Sequence, residues 1–136
     1  MIGKFKFGSP FIVLNIESND IEVMLDTGFN GEVILPEKII KKLNLKQIGF
    51  SDYITASGEV RLTKVHIAKI KFFDEEKEAA VLSTLADISL AGMELFHECK
   101  IAIERHKDFL EVTKSAKPES FGFVVMKEWL IIKSKV

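Results

Sequence analysis

Short β-branched apolar runs, each ended by a turn signal, recur along most of this 136-residue chain, and that rhythm leaves few folds open. Residues 11–17 and 20–25 are apolar and β-branched and meet at Ser18-Asn19-Asp20, which predicts a hairpin. Residues 32–35 follow the turn-forming pair Asn30-Gly31. Pro36 then opens a short helix over 37–43, with proline at the first helical position and Ile39, Ile40 and Leu43 on one face. Residues 53–55 and 60–67 flank Ala56-Ser57-Gly58-Glu59, and residues 70–73 and 78–82 flank Asp74-Glu75-Glu76-Lys77, giving two more hairpins. Residues 90–96 read as a strand end running into a short helix, and 101–103 and 109–112 flank the polar turn 104–108. Strands this short and this closely spaced favour a barrel or sandwich over a parallel βαβ sheet.

Chemistry is concentrated in Val23-Met24-Leu25-Asp26-Thr27-Gly28-Phe29-Asn30-Gly31. A carboxylate at the end of an apolar strand is costly to bury unless it is hydrogen-bonded or shares a proton. Thr27 can supply a hydroxyl. Gly28 is expected to turn the backbone with positive φ and bring an N–H close to the carboxylate. The plainer reading is that Asn30-Gly31 is a hairpin turn and Asp26 caps its own loop.

Asp-Thr-Gly after an apolar run resembles the active-site motif of aspartic peptidases. The longer form Asp26-Thr27-Gly28-Phe29-Asn30-Gly31, followed by Val33-Ile34-Leu35-Pro36, is similar to the prokaryotic cellular branch of the retropepsin-like (clan AA) family. Leu90-Ala91-Gly92, ahead of Met93-Glu94-Leu95-Phe96, resembles the second glycine motif of that family, with Ala91 where a larger aliphatic residue is usual. A hairpin with Gly58 at its tip sits where the family has its flap, which would comprise Ala56, Ser57, Gly58 and Glu59. The resemblance covers about residues 10–112. It implies a mainly β fold, a closed β-barrel of the acid-protease type with one or two short helices.

The resemblance also implies a mechanism. The reaction needs two carboxylates about a hydrogen bond apart sharing one proton, because like charges that close cannot both ionise. The chain has one Asp-Thr-Gly and no second copy. An active enzyme would therefore be a homodimer with Asp26 from each subunit in the catalytic pair, acting on a polypeptide. Thr27 would bond across the dimer axis, Gly28 would lend its backbone to substrate and carboxylate, and the flap would close over an extended peptide. The same fold can also serve as a non-catalytic dimeric protein-binding module, but intact Asp26, Thr27 and Gly28 favour the peptidase.

The rest of the chain narrows the function class. A formal net charge of −1 gives no field that would attract nucleic acid. No apolar stretch approaches the ~20 residues of a membrane span, and none near the start has signal-peptide form, so a cytoplasmic location is expected. Cys99 is the single cysteine, which excludes an intrachain disulfide and fits a reducing compartment. His97-Glu98-Cys99 is a poor ligand set, so no metal or cofactor is expected. His66 stands between Val65 and Ile67, and alternation points it away from them, towards solvent. Residues 1–113 are expected to form the peptidase domain. Residues 114–136 are a C-terminal extension in which a polar stretch with Pro118 precedes the apolar clusters around Phe121–Met126 and Trp129–Ile132; these are expected to cover the barrel or the dimer interface.

Overall fold

The computed structural model describes residues 1–55 and 57–115. Ala56 and the extension beyond Ser115 lie outside them, and with them the reading of the apolar tail.

The strands form where alternation meets tight turns. β2 (Ser9–Ile16) buries Ile12, Leu14 and Ile16, and its hairpin partner β3 (Asn19–Leu25) buries Val23 and Leu25. Their two-residue turn puts Glu17 and Ser18 at φ 48 and 64, the backbone twist that a two-residue hairpin needs. A strand that the sequence pattern did not suggest, β1 (Ile2–Lys6), leads into β2 through Phe7 and Gly8, at φ 51 and 79. β4 (Val33–Pro36) ends at Pro36, which caps the short helix α1 (Glu37–Lys42) from outside rather than opening it as the first helical residue; Ile40 is its buried anchor. β5 (Lys46–Ile54) and β6 (Val60–Phe72) form a long hairpin with β5 at the sheet edge, and β7 (Glu75–Thr84) returns beside β6. β8 (Leu90–Ala91), a 3-10 turn at Met93–Phe96, β9 (Cys99–Glu104) and β10 (Phe109–Lys114) complete the chain.

Among the described residues the sheet order is β5-β6-β7-β4-β8-β3-β2-β1-β10-β9, with β6 also paired to β2. That extra pairing, Asn15 with Lys71 and Ile16 with Ile70, returns the sheet on itself, so β6-β7-β4-β8-β3-β2 form a closed ring. Ile12, Leu14, Val23, Val33, Leu35, Ile70, Val81 and Leu95 are among the buried side chains of its core. No helix among the described residues is long and apolar enough to cross a membrane.

β6 corrects two sequence expectations. It runs unbroken through Ala68-Lys69 instead of ending at Ile67, and Ala68, Ile70 and Phe72 set its inward phase. His66 shares that phase and is 7 % exposed, buried rather than facing solvent. Its Nδ1 has no hydrogen-bond partner. Burial holds the imidazole below its usual range, with the backbone of Val81 acting in the opposite sense.

Candidate active site

Asp26 stands one residue beyond β3, and what holds it there is not a hairpin. β3 and β4 do not pair with each other. β8 lies between them, parallel to β3 (Met24 with Leu90, Leu25 with Ala91) and antiparallel to β4 (Val33 with Ala91, Ile34 with Leu90). The loop from Asp26 to Glu32 therefore wraps around the end of β8. This rules out the plain reading of Asn30-Gly31 as a hairpin turn between adjacent strands.

Backbone hydrogen bonds fix the loop on both sides. Asp26 N–H donates to the Ala91 carbonyl at 2.9 Å, and Phe29 N–H donates back to the Asp26 carbonyl at 3.2 Å. From the other side, Gly92 N–H donates to Glu32 O at 2.8 Å, Met93 N–H to Phe29 O at 2.9 Å and Glu94 N–H to Gly31 O at 3.2 Å. The Glu32 carboxylate accepts the Ala80 N–H at 3.0 Å and ties the loop to β7. Gly92 is required by close approach. A Cβ there would overlap the Gly31 carbonyl oxygen and the Phe29 ring and would lie 2.7 Å from Phe29 O.

Asp26 as a residue is half-buried, while Thr27 and Gly28 are exposed. Asp26 Oδ1 accepts the Gly28 N–H at 2.9 Å. Gly28 does not have the expected positive φ, which among the described glycines occurs at Gly8 and Gly58. A Cβ there would sit 3.3 Å from Asp26 Oδ1, a tight contact that a small shift of the carboxylate relieves. The Thr27 hydroxyl has no hydrogen bond to any described residue.

The hairpin expected as a flap joins Ile54 to Val60. Gly58, at φ 86, donates its N–H to Thr55 O at 2.9 Å, the Thr55 and Ser57 hydroxyls lie 3.0 Å apart, and Glu59 pairs with Arg61 at 3.2 Å. Phe50 and Lys64, Asp52 and Leu62, and Ile54 and Val60 are cross-strand pairs, so these side chains share one face. The four apolar ones are exposed, as are Leu85 and Ile88 on the loop before β8. An open depression of about 390 Å³ is lined by Tyr53, Arg61, Thr63, Ser83 and Leu85. Neither this depression nor a second cavity of about 230 Å³, lined by Glu32, Phe72, Lys77, Leu95 and Cys99, includes Asp26. Burial pushes the Cys99 thiol up, away from the thiolate that a nucleophile or metal ligand needs. No group of three potential metal ligands occurs among the described residues.

Sequence reasoning left out Phe29 and Glu32, whose carbonyls receive the support from Gly92 and Met93. Backbone acceptors carry no residue signature, and a single sequence shows no trace of them.

A closed β ring, with an Asp-Thr-Gly loop threaded by a Leu-Ala-Gly strand, is the retropepsin-like aspartic protease fold. The family described as "gag-polyprotein putative aspartyl protease" matches residues 12–98, and the chain belongs to it. Among solved structures, a retropepsin-like aspartic protease from Rickettsia conorii is similar over 85 % of this chain and 89 % of its own, with 26 % identity and a TM-score of 0.63. EIAV protease in complex with an inhibitor shares the fold at 16 % identity and a TM-score of 0.57, over 65 % of this chain and 86 % of that one. A foamy viral protease–reverse transcriptase shares it at 19 % identity and a TM-score of 0.55, over 71 % of this chain and 13 % of that one. No curated protein matches the chain by sequence.

Proposed function

We propose that the chain is a homodimeric aspartic endopeptidase in which Asp26 of each subunit forms the dyad that activates water against a peptide bond. The observation that carries this reading is the loop itself. It holds a half-buried Asp26 under backbone control on both sides, while Thr27 and Gly28 beside it stay exposed and Thr27 lacks a described partner. Residues left open next to a single carboxylate fit a site completed by a second copy.

In the dimer, the ionised Asp26 acts as general base on a water between the two carboxylates. The protonated Asp26 of the other subunit polarises the scissile carbonyl, and the proton then passes to the leaving amine. Thr27 bonds across the axis and keeps the two carboxyl groups in one plane. Gly28 leaves room for the substrate backbone. Residues 56–59 close over an extended polypeptide, and the exposed Phe50, Ile54, Val60, Leu62, Leu85 and Ile88 supply apolar surface for its side chains.

The test is Asp26→Asn, which keeps the shape of the side chain and removes the shared proton. The variant is expected to remain folded and dimeric by sedimentation and to lose cleavage of an extended apolar peptide by at least about 10³-fold, the scale of losing an acid–base pair. Cleavage at the wild-type rate would sink the dyad. A wild-type protein that dimerises and binds such a peptide without cutting it would instead be a binding module.

A further inference from the structure

The end of β10 lies at the mouth of the cavity of about 230 Å³. Lys114, the last residue of that strand, lines the cavity and pairs across its rim with Glu75 at 2.7 Å. One residue on, Ser115 N–H donates to the carbonyl of Glu98, on the same rim, at 2.8 Å. The point from which the C-terminal extension sets out is therefore fixed twice beside the opening.

The cavity suits an apolar group. Phe72 and Leu95 are buried in its wall, and Phe73 and Cys99 are half-buried there. The Phe72 and Phe73 rings meet edge to face with centroids 4.8 Å apart. Phe73 reaches that place at φ 57, a backbone conformation that bulky residues rarely adopt. Glycine or asparagine would hold the β6–β7 turn with less strain, so the turn does not account for an aromatic ring at this position. Polar groups of the wall are already engaged. Lys77 donates to Leu95 O at 3.2 Å and lies over the Phe72 ring at 4.9 Å, and the Glu32 carboxylate holds the Ala80 N–H. The lining carries Glu32, Glu75, Glu94 and Glu98 against Lys77 and Lys114, which disfavours an anionic ligand. The volume of about 230 Å³ also falls short of the ~300–1,000 Å³ usual for small-molecule sites, and suits a large side chain.

We propose that this cavity receives the segment Phe121-Gly122-Phe123 of the same chain. The proposal stands apart from the dyad reading, because neither Asp26 nor the flap takes part in it. Five residues, 116–120, separate Ser115 from Phe121. A connection of that length spans up to ~20 Å, enough to turn back into an opening at which it begins. Gly122 allows the backbone between the two rings to bend into a confined space. Lys117 falls within the connection, two residues after Ser115, and the exposed Glu94 and Glu98 of the rim offer it opposite charge. Two phenylalanines so close in sequence need cover from water, and the cavity is the apolar space nearest to where they start.

Cys99 tests this directly, being the single cysteine of the chain and part of the cavity wall. Its rate of reaction with an aromatic disulfide reagent reads whether the cavity is filled. The full-length chain carrying Phe121→Ser and Phe123→Ser is expected to react at least about tenfold faster than wild type, with circular dichroism unchanged. Trp129→Ser/Ile131→Ser alters the other apolar cluster and is expected to stay within about twofold of wild type. The wild-type rate is expected to be independent of protein concentration. A Phe121→Ser/Phe123→Ser chain that reacts at the wild-type rate would overturn the proposal. Equal unmasking of Cys99 by Trp129→Ser/Ile131→Ser would overturn the assignment to Phe121 and Phe123. A wild-type rate that climbs on dilution to that of the Phe121→Ser/Phe123→Ser chain would put the extension of a second copy in the cavity, and would overturn docking within one chain.

Discussion

Gly92→Ala adds one methyl group at the point where the Asp26 loop rests on its support. Its Cβ would overlap the Gly31 carbonyl oxygen and the Phe29 ring and lie 2.7 Å from the Phe29 carbonyl. Two of those three contacts are backbone atoms, which cannot rotate away. Overpacking of this kind costs about 1–3 kcal/mol. Relieving it pushes residues 29–31 off the bonds from Met93 and Glu94, each worth about 1 kcal/mol net. The sum is about 3–5 kcal/mol, a large part of the ~5–15 kcal/mol that holds a domain of this size. Urea unfolding of the two proteins at equal protomer concentration, so that association adds equally to both, reads the difference as a shift in midpoint. Gly49→Ala is the control, since a Cβ there meets nothing within 4 Å. On the peptidase reading, turnover of Gly92→Ala also falls by about 10²-fold, the scale for a catalytic group misplaced by about an ångström. A Gly92→Ala protein that unfolds within about 0.5 kcal/mol of wild type would refute the reasoning, because the loop would then be free to shift without cost.

Two further outcomes follow from single residues. Gly58→Val forces a β-branched residue to φ 86 where nothing lies within 4 Å, so the cost is backbone strain of about 1–2 kcal/mol confined to a hairpin tip; kcat/KM for a peptide should drop more than the urea midpoint implies, and a large stability loss with unchanged cleavage would make this hairpin core and not flap. His66 has a pKa held below the ordinary 6.5 by burial, so the unfolded chain binds its proton more readily and stability falls as pH drops through 6.5; the Tm of His66→Leu relative to wild type should rise steadily from pH 8 to pH 5, and a difference that stays flat with pH would show that His66 does not titrate between the two states.

Much of the barrel could be read from the chain because local signals agreed with the global fold. Ser18-Asn19-Asp20 marked the β2–β3 hairpin, though the turn itself is Glu17-Ser18 and Asn19 already opens β3; Pro36 marked the start of α1, and Gly58 marked a hairpin tip. β1 escaped notice because Gly3 interrupts its alternation; that glycine is needed because a Cβ there would run into Leu110 and the Phe11 carbonyl from two other strands. Val65 and Ile67 point His66 outward by alternation, while Ile70 and Phe72 further along the same strand set the inward phase that His66 shares. At the site, Asp26, Thr27 and Gly28 were legible as a string of residues. The N–H that Gly28 donates to the carboxylate was legible too, but the left-handed backbone expected with it is absent. The insertion of β8 between β3 and β4 has no local signature at all, because it joins residues far apart in sequence.

That insertion also sets an order of events. The strands on either side of Asp26 are made early, yet they cannot take up their final spacing until Leu90-Ala91 arrives to separate and pair with them. Closing so long a loop is slow compared with forming the β2–β3 hairpin. The Asp26 loop therefore cannot take its final shape before Leu90-Ala91 has joined β3 and β4, whether the chain is being synthesised or refolded. On the peptidase reading, a half-made chain carries its nucleophile-activating carboxylate in an unformed loop. It cannot attack its neighbours during synthesis, when unfolded polypeptide is most abundant around it.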